Sequence, residues 1–428
     1  MEVLVIKRDF YLNQIIERMW NGNIKVITGI RRSGKSTLLF TLFKEYLLST
    51  GVDEKQIIEI ELDKRKFYRY RNPITLCEYV EKIVTGNIST NYYLFIDEVQ
   101  FTTKVVDKES GSIEVTIYDM LNELKAYPNL DCYVTGSNSK MLSSDIATEF
   151  RGRSSQIKVY PLSFEEFYAY RGGVASEAFD EYMIYGGMPG LINEPTPERK
   201  RAYLKNLYDE IYIKDLVEHA KIQREDVLES ILDYLSTQIG SLTNASKITR
   251  ALNTKLTTKI TDDTVTKYIK HITDAFLISE ARRYDVKGKK YFDYPNKYYY
   301  TDIGLRNSRL NFRQIEPGHI MENIIYNELI RRGYSVDVGV VEDRRGNEKK
   351  LKEIDFVVNY FDQKIYIQSA LRMEEQEKAD SELDSLRLTG DFFKKIVIRR
   401  DIPTSFYDDD GIFNYNLLEF LMNRIELF

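Results

Sequence analysis

The chain has 428 residues, 43% of them hydrophobic and 30% charged, with 61 basic and 66 acidic side chains and a net charge of −5. This composition excludes a disordered chain, and the length calls for about two to four domains. The acidic balance excludes a polybasic scaffold, although a local basic groove stays open because nucleic acid responds to the nearby field and not to the sum.

Residues from Met1 to about Asn23 read as a helical lead-in with Phe10, Ile15, Ile16 and Met19 on one face. The start lacks the apolar core and cleavage site of a signal peptide, and no apolar run approaches the roughly 20 residues of a membrane helix. A cytoplasmic protein without a membrane partner is therefore expected. Ile24–Thr28 is a short buried strand that runs into a glycine-rich turn, and Thr37–Leu48 follows as a helix with Leu38, Leu39, Leu42 and Phe43 inward. Ile57–Leu62 is a second strand, Thr75–Ile88 a helix, Tyr92–Ile96 a third strand and Asp131–Thr135 a fourth. The third is apolar on both faces, as in a central parallel strand. Strands alternating with helices at this spacing predict a doubly wound α/β domain. Cys77 and Cys132 form no CxxC pair, and His219, His271 and His319 make no zinc pattern, so reduced thiols and no zinc are expected.

Gly29-Ile30-Arg31-Arg32-Ser33-Gly34-Lys35-Ser36 matches GxxxxGK[ST] in full, between a predicted strand and a predicted helix. Such a loop lets backbone N–H groups wrap phosphates and adds the favourable dipole of a helix N-terminus. The expected binding residues are Gly29, Arg32, Ser33, Gly34, Lys35, Ser36 and Thr37, with Lys35 placing a cation on the β- and γ-phosphates of ATP. Ser36 is the expected Mg2+ ligand. Leu94-Phe95-Ile96-Asp97-Glu98 is an apolar strand ending in two acids, as a Walker B motif requires. Asp97 is expected to hold the magnesium and Glu98 to polarise the attacking water.

Thr135-Gly136-Ser137-Asn138-Ser139, then Phe150-Arg151-Gly152-Arg153, then Tyr160-Pro161-Leu162-Ser163-Phe164-Glu165-Glu166-Phe167 complete a string that resembles the prokaryotic AAA+ ATPases with a C-terminal domain of unknown function. The resemblance spans nearly the whole chain. It implies a sensor residue after the fourth strand, with Asn138 first and Ser137 second. It implies an arginine reaching a neighbouring subunit's γ-phosphate, at Arg151 or Arg153, and hence a homo-oligomer, in particular a ring. Tyr185-Gly186-Gly187-Met188-Pro189-Gly190 resembles the family's lid region, where its role is backbone geometry. One departure is the stretch 104–117, which reads as a β-hairpin inserted directly after Walker B.

Asn244–Leu252 reads as a short helix, and Thr261-Asp262-Asp263-Thr264 caps another that turns Val265, Tyr268, Ile269, Ile272 and Phe276 inward. Thr266, Lys267, Lys270 and His271 lie on its other face. Two strands follow, at 277–284 and 297–300, bridged by Val286-Lys287-Gly288-Lys289-Lys290. This region resembles a winged helix, which implies DNA contacts from Lys267 and Lys270 and phosphate contacts from Arg282, Arg283, Lys287, Lys289 and Lys290. Beyond residue 310, Glu322 and Glu328 on a helix, Asp355 opening a strand and a strand with Gln368 and Ala370 resemble a PD-(D/E)xK nuclease. The acid and lysine of active members' last strand are replaced by Gln368 and Ala370, so a degenerate domain kept for binding or assembly is expected. The resulting plan is an AAA+ core at 1–162, a helical lid at 163–223, a winged helix at 224–310 and a nuclease-like α/β domain at 311–428. The expected function is an oligomeric ATPase coupled to DNA binding or remodelling, including branched DNA. The alternatives are a nucleotide-switched interaction protein without DNA and an ATP-regulated nuclease.

Overall fold

The computed structural model describes residues 5–107, 111, 113–136, 154–214, 216–217, 222–254, 259–343, 350–373 and 383–428. They form two compact units: one runs to Pro161 and includes Asp274–Phe276, and the other comprises Leu162–Thr273 with Leu277–Phe428.

The first unit is built on a parallel sheet of β1 (Ile24–Thr28), β2 (Ile57–Glu61), β3 (Tyr92–Asp97), β6 (Leu130–Gly136) and β7 (Ser154–Lys158), in the order β2-β3-β6-β1-β7. β1, β3 and β6 are buried along their whole length. Alternation along each strand divides their side chains between two cores. Val26, Leu94, Ile96 and Val134 pack on one face with the helix Pro73–Gly86, through Leu76, Val80 and Val84. Ile27, Tyr93, Phe95 and Tyr133 pack on the other with Leu38, Leu39, Phe43 and Leu47. That helix begins at Lys35, passes through a π turn at Leu38–Phe43 and continues to Ser49. The lead-in is helical only over Asp9–Ile16, and its buried pair is Tyr11 and Ile15. Phe10, expected inward, is 37% exposed, because the i,i+4 stripe starts one residue later. The expected hairpin is present, with β4 (Val105–Asp107) antiparallel to β5 (Ile113–Val115).

The second unit opens with helices, among them Phe164–Arg171, Ala175–Tyr185, Glu225–Thr237, Ala245–Asn253 and Asp262–Asp274. A mixed sheet of eight strands follows, in the order β14-β15-β13-β12-β11-β10-β8-β9. It contains β8 (Ile278–Asp285), β9 (Lys290–Tyr300), β10 (Ser335–Asp343), β11 (Lys350–Tyr360), β12 (Gln363–Ala370), β13 (Lys394–Arg399), β14 (Phe406–Tyr407) and β15 (Phe413–Asn416). The sheet crosses the boundary expected at 310/311: β8 pairs in parallel with β10, with Arg283 opposite Val338 and Asp285 opposite Val340. A free wing would leave β8 with unpaired backbone groups, and joining it to β10 removes that edge.

The Gly-Pro string has a physical explanation within this unit. Gly186 has φ +72°, and a Cβ there would lie 2.4 Å from Asp302. The Asp302 carboxylate accepts the Gly187 N–H at 2.7 Å and the Leu305 N–H at 3.1 Å.

Candidate functional site

The turn after β1 is shaped by two glycines. Gly29 has φ +141°, and a Cβ on it would lie 2.0 Å from the Val159 carbonyl oxygen, so only glycine fits. Gly34 takes the left-handed conformation, φ 94° and ψ 17°, and hands the chain into the helix that starts at Lys35. Arg32 between them is also left-handed, at φ 62°. Lys35 is buried and donates to the carbonyls of Gly29 and Ile30, each at 3.0 Å. Burial lowers its pKa, with Glu98 and Asp97 acting in the opposite direction. The Ser33 hydroxyl is buried with no hydrogen-bond partner among the described residues. An orphaned donor on the inside of a glycine-walled turn is what an anionic oxygen would satisfy.

β3 delivers the acids. Asp97 is buried at its end, and its Oδ1 receives the Ser36 hydroxyl at 3.1 Å and also the Thr135 hydroxyl. Burial raises the Asp97 pKa, partly offset by the Thr135 hydrogen bond. A serine hydroxyl touching a carboxylate is a hard-oxygen pair that would suit Mg2+. Glu98 is half-buried, has φ 55°, and accepts a hydrogen bond from the Gln100 side chain. Its N–H donates to the Thr135 Oγ at 3.0 Å.

The structure therefore gathers Gly29, Ser33, Gly34, Lys35, Ser36, Asp97 and Glu98 in one place, while the side chains of Arg32 and Thr37 are exposed. Ser137, Asn138, Arg151 and Arg153 lie outside the described residues. Two participants were not read from the sequence. Thr135 donates to the Asp97 carboxylate and accepts the Glu98 N–H, and its only signal is a hydroxyl at the end of a strand. Arg8 is buried and donates to the carbonyls of Ser33, at 3.0 Å, and Tyr160, at 2.7 Å, so it braces the turn from behind. Nothing local marks it among the basic residues of the lead-in.

The other sequence candidates lie in the second unit. Lys267 and Lys270 are exposed on the outer face of their helix, opposite buried Val265, Tyr268, Ile269 and Ile272. Arg282, Lys287, Lys289 and Lys290 are exposed on the β8–β9 hairpin, and Arg283 is half-buried. Glu322 and Asp355 converge, but not on an open site. Lys297 reaches between them, at 2.7 Å from Glu322, 2.6 Å from Glu353 and 3.6 Å from Asp355. Tyr299 donates to Glu322 at 2.6 Å, and Gln368 accepts the Asp355 N–H at 3.2 Å. Ala370 is buried. Glu328 does not join this cluster, because Arg331 and Arg332 hold it at 2.6 Å and 2.7 Å.

Comparison with known proteins agrees with the first unit's geometry. Residues 21–168 match the family described as AAA domain, and residues 176–316 match a domain of unknown function, DUF8612. An uncharacterized protein of Haemophilus influenzae is 32% identical over 403 residues, covering 93% of this chain and 94% of that one. Another, from Methanocaldococcus jannaschii, is 26% identical over 391 residues, covering 87% of this chain and 80% of its own length. Among solved structures, Cdc6p from Pyrobaculum aerophilum covers 76% of this chain and 96% of its own at 11% identity. Its TM-score is 0.31, too slight a likeness to carry an argument.

Proposed function

The chain belongs to the same family as the Haemophilus influenzae protein and carries an AAA domain, and on that premise we propose that it is an ATPase that binds and hydrolyses ATP with Mg2+ and works on DNA as an oligomer. The observation that carries the reading is the meeting of Ser36 and Asp97 beside a left-handed glycine turn whose buried Ser33 hydroxyl has no partner among the described residues. Held by Ser36 and Asp97, a magnesium ion would supply Lewis-acid stabilisation of the charge that develops on the phosphates. Gly29, Gly34 and the intervening amides cradle the phosphates, and Lys35 turns from the loop carbonyls to the β- and γ-phosphates. Ser36 and Asp97 hold the ion. Glu98, oriented through Gln100 and the Thr135 hydroxyl, takes the proton of the attacking water. Asn138 places that water, and Arg151 or Arg153 completes a neighbouring subunit's site.

The DNA part rests on exposed cations. Lys267 and Lys270 face solvent on one helix, and Arg282, Lys287, Lys289 and Lys290 line the hairpin, a distribution that suits phosphate contacts. The test is the ATPase rate with single-stranded, duplex and four-way DNA at low and high salt. The reading expects stimulation that fades steeply with salt. Identical rates with and without every DNA, together with a stoichiometric protein partner, select the switched-interaction reading instead.

A further inference from the structure

The segment that leaves β2 has a composition found nowhere else in the chain: Lys64-Arg65-Lys66-Phe67-Tyr68-Arg69-Tyr70-Arg71 holds five cations, three aromatic rings and no acid, in a molecule of net charge −5. Residues Arg65–Arg71 fold as a 3-10 helix at the carboxyl end of the sheet. Glu61, the last residue of β2, lies opposite Asp97, and the Leu62 N–H donates to the Asp97 carbonyl at 3.3 Å. The segment thus springs from the strand end beside the Walker B acids. Its other end is fastened to the residue preceding the hairpin, since the Thr103 N–H donates to the Arg71 carbonyl at 2.8 Å.

A run of charges on a surface is ordinarily solvated and interleaved with acids. Here the cations are matched with rings instead. The Arg71 guanidinium lies 3.9 Å from the Tyr68 ring centre, Arg69 4.5 Å from Tyr70 and Lys66 4.4 Å from Phe67. Lys64 pairs with Glu61, but Arg65, Lys66 and Arg69 are exposed and pair with no carboxylate among the described residues. Tyr68 is 49% exposed, with one face against Arg71. Unpaired cations call for an anionic partner, and a presented ring calls for a flat one. Single-stranded nucleic acid supplies phosphates and unstacked bases together.

We infer that residues 64–71 form a contact surface for single-stranded DNA on the ATPase unit itself, with Arg65, Lys66 and Arg69 on phosphates and Tyr68 stacked on a base. This rests on the reading that the protein works on DNA, and it adds a contact that the helix and hairpin of the second unit do not supply. Strand binding there bears on the backbone that carries Asp97, through Leu62 and Arg71, whose Nε donates to the Leu62 carbonyl at 2.9 Å.

The experiment is fluorescence anisotropy of a labelled dT30 oligonucleotide with the full chain across a salt series. Arg65→Ala/Lys66→Ala/Arg69→Ala is expected to weaken binding at least about tenfold and to flatten the slope of log K against log salt by about 2, close to 0.7 for each lost phosphate contact. Tyr68→Ala should weaken binding and leave the slope unchanged. The charge-conserving Arg65→Lys/Lys66→Arg/Arg69→Lys should bind like the parent, and basal ATP hydrolysis should be unaltered in all three. Parental affinity in the triple alanine variant overturns this inference alone, most directly if Lys267→Ala/Lys270→Ala abolishes binding. Displacement of dT30 by polyglutamate at equal charge concentration also overturns it, in favour of an acidic protein partner. No binding of any DNA by the parent protein removes the broader DNA reading as well.

Discussion

Each unit buries a lysine beside carboxylates, and the two lysines are held in opposite states. In the first unit Lys35 donates to two loop carbonyls and forms no ion pair with Asp97 or Glu98 among the described residues, and burial lowers its pKa. In the second, burial works against the charge on Lys297, but Glu322, Asp355 and Glu353 outweigh it and hold the ammonium above its usual range. The same ammonium, with a hydrogen bond from Tyr299 and His319 3.6 Å away, holds the Glu322 carboxyl below its usual range against the cost of burial. The first centre holds a lysine that pairs with no carboxylate among the described residues and a buried serine hydroxyl with no hydrogen-bond partner among them. The second is already neutralised from within. A site that must receive a charged ligand keeps its charges unpaired at a cost in stability, whereas a structural cluster spends them on itself.

The largest effect expected is at the open centre. Lys35→Ala should lower affinity for a fluorescent ATP analogue about 100-fold or more, because a charge-assisted contact to phosphate is lost. The folded protein should not lose stability, since a buried and unpaired cation is removed. Unchanged affinity breaks the contrast.

At the closed centre the expectation reverses. Lys297→Met should leave nucleotide affinity intact and cost about 3–5 kcal/mol of stability in a denaturant titration, because three acids lose their cation. The loss should shrink toward acid pH, where the Glu322 carboxyl, held below its usual range in the parent, takes up a proton. A variant as stable as the parent contradicts the account of Lys297 as a structural counterion.

Asp302 sharpens the comparison further, as a buried acid held by the Gly187, Leu305 and Gly304 N–H groups. Burial raises its pKa to about 6, with the Gly187, Leu305 and Gly304 amides opposing the shift. A raised acid binds a proton in the folded state before it does in the unfolded state. Its penalty is therefore absent below the unfolded value near 3.8 and complete above about pH 6. Moving from pH 7.5 to pH 5 should recover roughly 1–3 kcal/mol in the parent and less in Asp302→Asn. Equal pH responses would show that the carboxylate is not the group responsible.

The difference between the two centres also explains what the sequence disclosed. The ATP site is written in consecutive residues, and the strand that delivers its acids is an uninterrupted apolar run from Tyr92 to Ile96, so Gly29–Ser36 and Asp97-Glu98 are legible together with the fold around them. β7 was not, because Ser154-Ser155-Gln156-Ile157-Lys158 is a polar edge strand with one buried residue and no alternation to detect. The closed centre draws Lys297, Glu322, Glu353 and Asp355 from three separated elements. Glu322 and Asp355 stood out by their types, but Lys297 precedes three tyrosines in a strand and nothing local marks it as their counterion. The continuation of the sheet across residues 310/311 was illegible for a related reason. Pairing between β8 and β10 is a parallel contact across some fifty residues, and no local pattern announces it.

The claim that the open centre turns over ATP is tested most directly by steady-state hydrolysis with Mg2+ at saturating ATP, comparing the parent with Glu98→Gln. Turnover is expected to fall by roughly 10²–10⁴ in the variant while ATP is still bound, because only the proton acceptor has been removed. A parent that hydrolyses no faster than Lys35→Ala, or a Glu98→Gln variant that turns over at the parental rate, would contradict it.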